Sequence, residues 1–120
     1  MIIIKLELLE APLIQKWDDP HLFQARKYTR RLKDRKSELS DNQLISEINK
    51  DEELKQSVIL VMNYMDQVRV SIRVNRVDIK LLKQSLGEVI LDICRRFRPF
   101  VKNQGEQYIK DWDELSSFFQ

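Results

Sequence analysis

Arginine and lysine are concentrated in three short stretches of this 120-residue chain. Residues 26–36 hold seven cations against a single carboxylate. The two other clusters are Arg69, Arg73 and Arg76, and then Arg95, Arg96 and Arg98. Guanidinium groups form charge-assisted and often bidentate hydrogen bonds to phosphate and carboxylate groups. The chemistry that these residues could perform is therefore the binding of an anion.

The positive charge is nearly balanced elsewhere, which leaves a second interpretation open. The net charge is only +2, and residues 38–53 hold six acids and one lysine. A solvated amphipathic surface with a salt-bridged oligomer interface would explain the same pattern. The aromatic residues within the basic stretches are only Tyr28, Phe97 and Phe100, so the support for base stacking is thin.

Residues that could carry catalysis are scarce. His21 is the only histidine, and no partner stands at metal-ligand spacing, so we expect an exposed residue in the first turn of a helix. Cys94 is the only cysteine and lies among apolar residues, which is typical of a buried filler rather than a nucleophile. The two glycines are isolated and form no phosphate-cradling loop. The sequence therefore predicts a non-enzymatic protein without a metal or a cofactor.

The composition predicts a single all-α domain. Apolar residues make up 42% of the chain and charged residues 33%, with only two glycines and three prolines. We expect a helical domain over residues 17–120, preceded by an apolar segment over residues 1–16. That segment falls short of the roughly 20 apolar residues that a membrane span needs. It is expected to be either a short helix or strand that covers the core, or the stub of a removed membrane anchor.

Three local signals predict where the first helices start. Asp19 followed by Pro20 indicates a helix that runs to about residue 36. Ser40 with Gln43 three residues later indicates a capping box and a short helix that ends near residue 49. Three consecutive carboxylates at residues 51–53 indicate the positive end of a third helix.

The core is predicted to be an antiparallel hairpin of two long helices, at about residues 51–74 and 78–98. Asn75 suits the turn because asparagine tolerates the left-handed conformation, and Asp78 would cap the second helix. Residues 68–74 alternate in a way that would also suit a strand. We favour a helix there because the apolar stripe continues through this stretch at helical spacing. The nearly heptad spacing of the second helix favours shallow-angle packing against the first.

The C-terminal part is predicted to be broken into shorter pieces. Pro99 is expected to interrupt the second long helix. Apolar and aromatic residues continue beyond it, which indicates a further helix, a break near Gly105 and a last short amphipathic helix. The chain shows no internal repeat and no low-complexity segment.

Several stretches of the sequence resemble a group of helical cytoplasmic domains. They are Trp17 to Arg26, Val61 to Asp66 leading through Arg69 to Val77-Asp78, Leu86-Gly87-Glu88, and Phe97 to Phe100. These domains occur behind one or two N-terminal membrane helices in bacterial proteins of unknown function, some of them suspected in antiviral defence. The likeness covers about residues 17–115. The chain departs from the pattern in having Asn75 where related chains often have glycine, and in showing no membrane helix.

The resemblance implies a sensor domain. In layout the chain is similar to membrane-anchored effectors of type III CRISPR defence, in which a small soluble domain oligomerises and binds cyclic oligoadenylate. It implies a location in the cytoplasm, or at the cytoplasmic face of the inner membrane where an anchor is present. An arginine-rich groove between identical subunits would suit such a symmetric polyanion.

These observations predict a non-enzymatic regulatory domain that binds an anionic ligand, such as a cyclic oligonucleotide, at a basic interface in a homo-oligomer. The predicted ligand contacts are Arg69, Arg73, Arg76, Arg95, Arg96 and Arg98, followed by Arg26 and Arg30. One alternative is a protein-interaction or oligomerisation scaffold that self-associates through its aromatic C-terminal helix. Another is a nucleic-acid-binding helical domain. The sequence leaves the ligand and the number of subunits open.

Overall fold

The computed structural model describes residue 13, residues 15–34 and residues 38–120. Its helices are α1 (Pro20–Asp34), α2 (Asp41–Lys50), α3 (Glu52–Arg73), α4 (Ile79–Gln104) and α5 (Glu106–Phe118). Every regular element among these described residues is a helix, which confirms the predicted all-α bundle. The predictions for the apolar segment at residues 1–16 fall almost wholly outside the described part.

The helix starts follow the local signals in the sequence. The side chain of Asp19 accepts a hydrogen bond from the backbone N–H of His21 at 2.9 Å. Ser40 and Gln43 form the complete capping box, with each side chain accepting from the backbone N–H of the other residue. These contacts satisfy N–H groups that a helix leaves without partners in its first turn. The predicted starts of α1 and α2 are therefore confirmed.

The long helix α3 continues through residues 68–73, so this stretch is a helix and not a strand. The turn after it contains Asn75, which has a φ of 57°, in the left-handed region. Asp78 then caps α4 by accepting from the backbone N–H of Lys80. The first long helix matches its predicted range, and the second begins where predicted but runs past residue 98.

The helix α4 does not end at Pro99, and the expected interruption there is wrong. The helix runs on to Gln104, with the proline inside it. Phe97, Phe100 and Val101 are buried on both sides of the proline, and this burial outweighs the lost N–H hydrogen bond. The predicted break occurs at Gly105, whose φ of 144° a residue with a side chain rarely adopts.

The helices form two closely packed pairs, α1 with α3 and α4 with α5. The short helix α2 packs against both α3 and α4, and α5 also packs against α3. One core cluster draws buried side chains from all five helices. The two long helices, α3 and α4, each pack mainly against other helices, so the expected shallow-angle packing of one against the other is wrong. A space remains between α1 and α4.

The residues just before α1 are fastened to the bundle. The hydroxyl of Tyr64 on α3 donates a hydrogen bond of 2.7 Å to the carbonyl of Leu13. The ring of Trp17 lies 5.5 Å from that of Tyr64, and Arg26 on α1 donates to the carbonyl of Trp17. None of the helices in the described part is both long enough and apolar enough to cross a membrane.

Candidate anion-binding cleft

A cleft of about 810 Å³ lies between α1 and α4. Its cations are Arg26, Arg30 and Lys33 from α1 and Arg95 and Arg96 from α4. Its carboxylates are Glu88 and Asp92, both from α4. Positive groups therefore outnumber negative groups among the described residues that line the cleft.

The α1 wall follows directly from helical geometry. Arg26, Arg30 and Lys33 stand at positions i, i+4 and i+7, so they share one face of the helix. Thr29 lies on the same wall and is buried, and its hydroxyl donates to the carbonyl of Arg26. The sequence thus places three cations in a row about 10 Å long, given the rise of 1.5 Å per residue.

Arg26 lies over an aromatic ring at one end of this row. Its guanidinium carbon lies 3.8 Å from the centre of the Trp17 ring, and one terminal nitrogen donates to the Trp17 carbonyl at 2.8 Å. Its Nε is buried and has no hydrogen-bond partner among the described residues. Burial and the nearby charge of Arg30 lower the pKa of Arg26. The site therefore contains a cation that an added anion would stabilise.

Arg96 on the α4 wall is only 6% exposed and forms an ion pair with Asp92. Lys33 reaches across the cleft to the same carboxylate, with Nζ 3.3 Å from Oδ2. Burial raises the pKa of Asp92, but Arg96 and Lys33 more than offset this, so the pKa is lowered. The Nε of Arg96, like that of Arg26, is buried without a partner among the described residues. One carboxylate thus neutralises two of the five cations.

Arg30 and Arg95 are the accessible cations of the cleft. Both side chains are exposed, and neither forms a salt bridge with any described carboxylate. Glu88 is exposed as well and is the second acid of the cleft. An incoming phosphate would find these two exposed guanidinium groups. It would also find those of the half-buried Arg26 and the buried Arg96, whose Nε atoms have no partner among the described residues.

Arg69 lies elsewhere and is neutralised by carboxylates. It is 8% exposed and pairs with Asp66 at 3.0 Å and with Glu114 of α5 at 3.1 Å, while Asp111 lies 3.6 Å away. Burial lowers the pKa of Arg69, but the hydrogen bonds to Asp66 and Glu114 more than offset this, so the pKa is raised. This residue fastens α5 to α3 and does not face the cleft.

The remaining predicted contacts also lie outside the cleft. Arg98 forms a bidentate pair with Asp113, at 3.0 and 2.9 Å. Arg73 and Arg76 are exposed at and just after the end of α3, and neither forms a salt bridge with a described residue. The eight predicted arginines therefore do not converge, and the structure brings together four of them, Arg26, Arg30, Arg95 and Arg96.

Sequence reasoning missed Lys33 and Asp92 as parts of the cleft. The signal for Lys33 was its i+7 position after Arg26, which was hidden within a run of seven cations. The signal for Asp92 was its i, i+4 spacing from Arg96. Neither spacing could show that these two residues, on α1 and α4, face each other across a cleft.

Other reactive groups lie outside the cleft. Cys94 is buried, as predicted, and burial raises the pKa of its thiol to about 12. His21 is exposed in the first turn of α1, also as predicted. The described residues contain no group of three or more histidine, cysteine or acidic side chains arranged to hold a metal ion.

In a comparison with known protein families, residues 12–119 match the model of one family, the Domain of unknown function (DUF4760). The chain belongs to this family. No curated protein and no solved structure matches the chain significantly. The DUF4760 domain therefore has to be interpreted from its own geometry.

Proposed function

We propose that this DUF4760 domain binds a phosphate-bearing ligand in the cleft between α1 and α4. The observation that carries the proposal is the surplus of cations in the cleft, five against two carboxylates among the lining residues. A structural ion-pair network would be expected to neutralise its cations, as the carboxylates around Arg69 do. The cleft instead retains exposed guanidinium groups and two buried Nε donors that have no partner in the part of the chain that the structure describes.

The proposed activity is binding without turnover. His21 and Cys94, the residue types most suited to proton transfer or covalent chemistry, do not line the cleft. The residues that do line it can donate hydrogen bonds and supply charge, which suits recognition of an anion. We therefore propose a regulatory domain whose output is a response to the bound ligand.

The finer identity of the ligand rests on the sequence resemblance. A cyclic oligoadenylate carries several phosphates in a closed ring, and each could use a guanidinium group of the cleft. We propose this ligand class for a homo-oligomeric antiviral effector at the cytoplasmic face of the membrane. Localisation of the full-length protein in cells checks that last point.

The test compares two double charge reversals. Arg30→Glu with Arg95→Glu changes the exposed cations of the cleft, whereas Arg73→Glu with Arg76→Glu makes the same change in net charge outside it. Both are titrated with pyrophosphate, linear oligoadenylates and cyclic oligoadenylates by calorimetry and thermal shift. We expect the first pair to weaken binding by at least about 150-fold, because each of the two lost charged hydrogen bonds contributes about 1.5–3 kcal/mol.

The outcomes separate the parts of the proposal. Equal losses in both double variants would show that the ligand responds to overall charge, which contradicts a site in the cleft. Binding of pyrophosphate without a preference for cyclic over linear oligoadenylates would keep the anion site and overturn the cyclic ligand. Conversion of any of these compounds, followed by chromatography, would overturn the non-enzymatic function.

A nucleic-acid-binding domain is the second candidate, because α1 carries exposed cations on more than one face. Lys27, Arg30, Arg31 and Lys33 are all exposed along the helix. Binding to duplex DNA or RNA through many phosphates weakens steeply with salt and tolerates many sequences. A dissociation constant that rises several hundredfold between about 50 and 200 mM salt would favour this function over the cleft.

A further inference from the structure

The helix α3 carries exposed apolar residues on the side that faces solvent. Seven of its residues are buried, and they include Val58, Val61 and Met65. With a rotation of about 100° per residue, the opposite side of the helix is centred near Asn63. Four large apolar residues lie on that opposite side between 39% and 52% exposed, namely Ile59, Leu60, Val70 and Val74.

This solvent-facing side of α3 also has charges of opposite sign at its two ends. Glu52 and Glu53 are exposed in the first turn of the helix. Arg73, in the last turn, and Arg76, just after the helix, are exposed at the other end. Between these ends, two exposed apolar pairs are separated by a polar centre that consists of Asn63, Asp66 and Gln67. In an antiparallel copy each apolar pair faces the other pair, and the basic end faces the acidic start.

We propose that this side of α3 is a dimer interface that pairs with a second copy of the same chain. A two-fold axis passing beside Asn63 and Asp66 places Ile59 next to the partner's Val70. The same axis brings each acidic end near the partner's basic end. Each contact then occurs twice, as a two-fold symmetric interface requires.

The other exposed apolar residues do not form a long apolar surface with oppositely charged ends. Phe23 on α1 and Leu81 on α4 are exposed singly, and Val89 belongs to the cleft wall. Two helices of 22 residues each offer a contact about 33 Å long. A contact of one helix per subunit is at the small end of specific interfaces, so we expect dissociation on the order of 10 μM.

The first experiment compares two variants of the full chain by sedimentation velocity between about 1 and 300 μM, a range that brackets the expected constant. Val70→Glu places a charge at an apolar position of the proposed interface, and Leu81→Glu places one at a similarly exposed position on α4. We expect the wild type and Leu81→Glu to form dimers with the same constant and Val70→Glu to dissociate at least tenfold more readily. A monomeric wild type, an unchanged Val70→Glu or equal effects of both substitutions would overturn the proposal.

A charge-swap series tests the orientation and does not depend on Val70→Glu folding normally. Glu52→Arg and Arg73→Glu each place like charges opposite one another in the antiparallel dimer, so each is expected to weaken it at least fivefold. The double variant restores opposite charges at both ends and is expected to return to within twofold of the wild type. A double variant weaker than either single variant would exclude the antiparallel arrangement.

The interface does not depend on the proposed ligand site, since the cleft is formed by α1 and α4 alone among the five helices. Arg73→Glu is expected to change the mass in solution but not the affinity for pyrophosphate. Arg30→Glu with Arg95→Glu is expected to do the reverse. The two proposals can therefore fail separately.

Discussion

The carboxylate cluster around Arg69 and the cleft between α1 and α4 both contain buried arginine, but their charges are arranged in opposite ways. Around Arg69, one guanidinium lies within 4 Å of three carboxylates from α3 and α5. In the cleft, one carboxylate, Asp92, serves two cations while three others have no salt bridge to a described residue. The first arrangement surrounds its guanidinium with carboxylates, and the second leaves cations available to an external anion.

The difference shows that clustered arginines indicate binding only when their partners are counted in three dimensions. Arg69, Arg73 and Arg76 looked like one contact surface because helical spacing places them near one face. In the structure, Arg69 donates a hydrogen bond to Glu114, a carboxylate 45 residues further along the chain. Arg69 is buried and paired with carboxylates, so its role is structural, whereas Arg73 on the same helix is exposed.

The largest effect that separates the two regions is expected from Arg69→Met. This change keeps the aliphatic bulk but removes the charge that balances Asp66 and Glu114, and it should lower the free energy of unfolding by about 2 kcal/mol. Arg73→Met is the matched control on the same helix and should change it by less than about 0.5 kcal/mol. Both are measured by urea unfolding. Equal effects would mean that Arg69 does not hold α5 in place.

The reactivity of Cys94 tests whether α5 detaches from the bundle when Arg69 is replaced. The indole N–H of Trp112 on α5 donates to the Cys94 carbonyl, so α5 covers this residue. The pKa of the thiol is raised to about 12, so thiolate becomes abundant only as the pH rises through that value. At pH 8 we expect slow labelling by a disulfide reagent in the wild type and labelling about 30-fold faster in Arg69→Met, which corresponds to about 2 kcal/mol. An unchanged rate would show that α5 stays docked without Arg69.

In the cleft, Asp92→Asn is expected to lower the free energy of unfolding by about 1.5 kcal/mol, because it leaves the buried Arg96 without its carboxylate. Glu88→Gln removes the same charge from an exposed position in the same cleft and should have an effect below about 0.5 kcal/mol. Thermal unfolding with and without pyrophosphate checks both variants. The anion should restore stability to Asp92→Asn more than to Glu88→Gln, and equal responses would mean that only net charge matters.

The smallest effect is expected from Arg98→Met. Arg98 and Asp113 join α4 to α5 with two hydrogen bonds, but about half of each side chain is exposed. Exposed pairs contribute about 0.2–1 kcal/mol, so we expect a loss of about 0.5 kcal/mol in urea unfolding. A loss as large as that of Arg69→Met would show that the burial of Arg69 is not what distinguishes it.

Much of the fold could be predicted because its signals are local. The capping box at Ser40 and Gln43, and the left-handed Asn75, act within a few residues of the backbone that they fix. The expected break at Pro99 was wrong because Phe97 and Phe100, on either side of it, are fully buried against other parts of the fold. Tertiary burial overrode the local preference of proline at that position.

The site was predictable only in part, for the same reason. The basic face of α1 and the arginines of α4 were visible in the sequence, but their meeting across a cleft depends on which helices pack together. Neither helix is the closest packing neighbour of the other. The pairing of Arg98 with Asp113 depends equally on how α5 folds back on α4. Spacing along the chain contains no information on such contacts.

The fastening of Leu13 and Trp17 has a mechanical consequence. Tension applied to the chain ahead of Leu13 would reach α3 through the hydroxyl of Tyr64. The hydrogen bond from Arg26 to the Trp17 carbonyl would resist the separation of Trp17 from α1. Arg26 also lines the cleft, so a pull on the N-terminal part of the chain and an anion entering the cleft would compete for the same side chain.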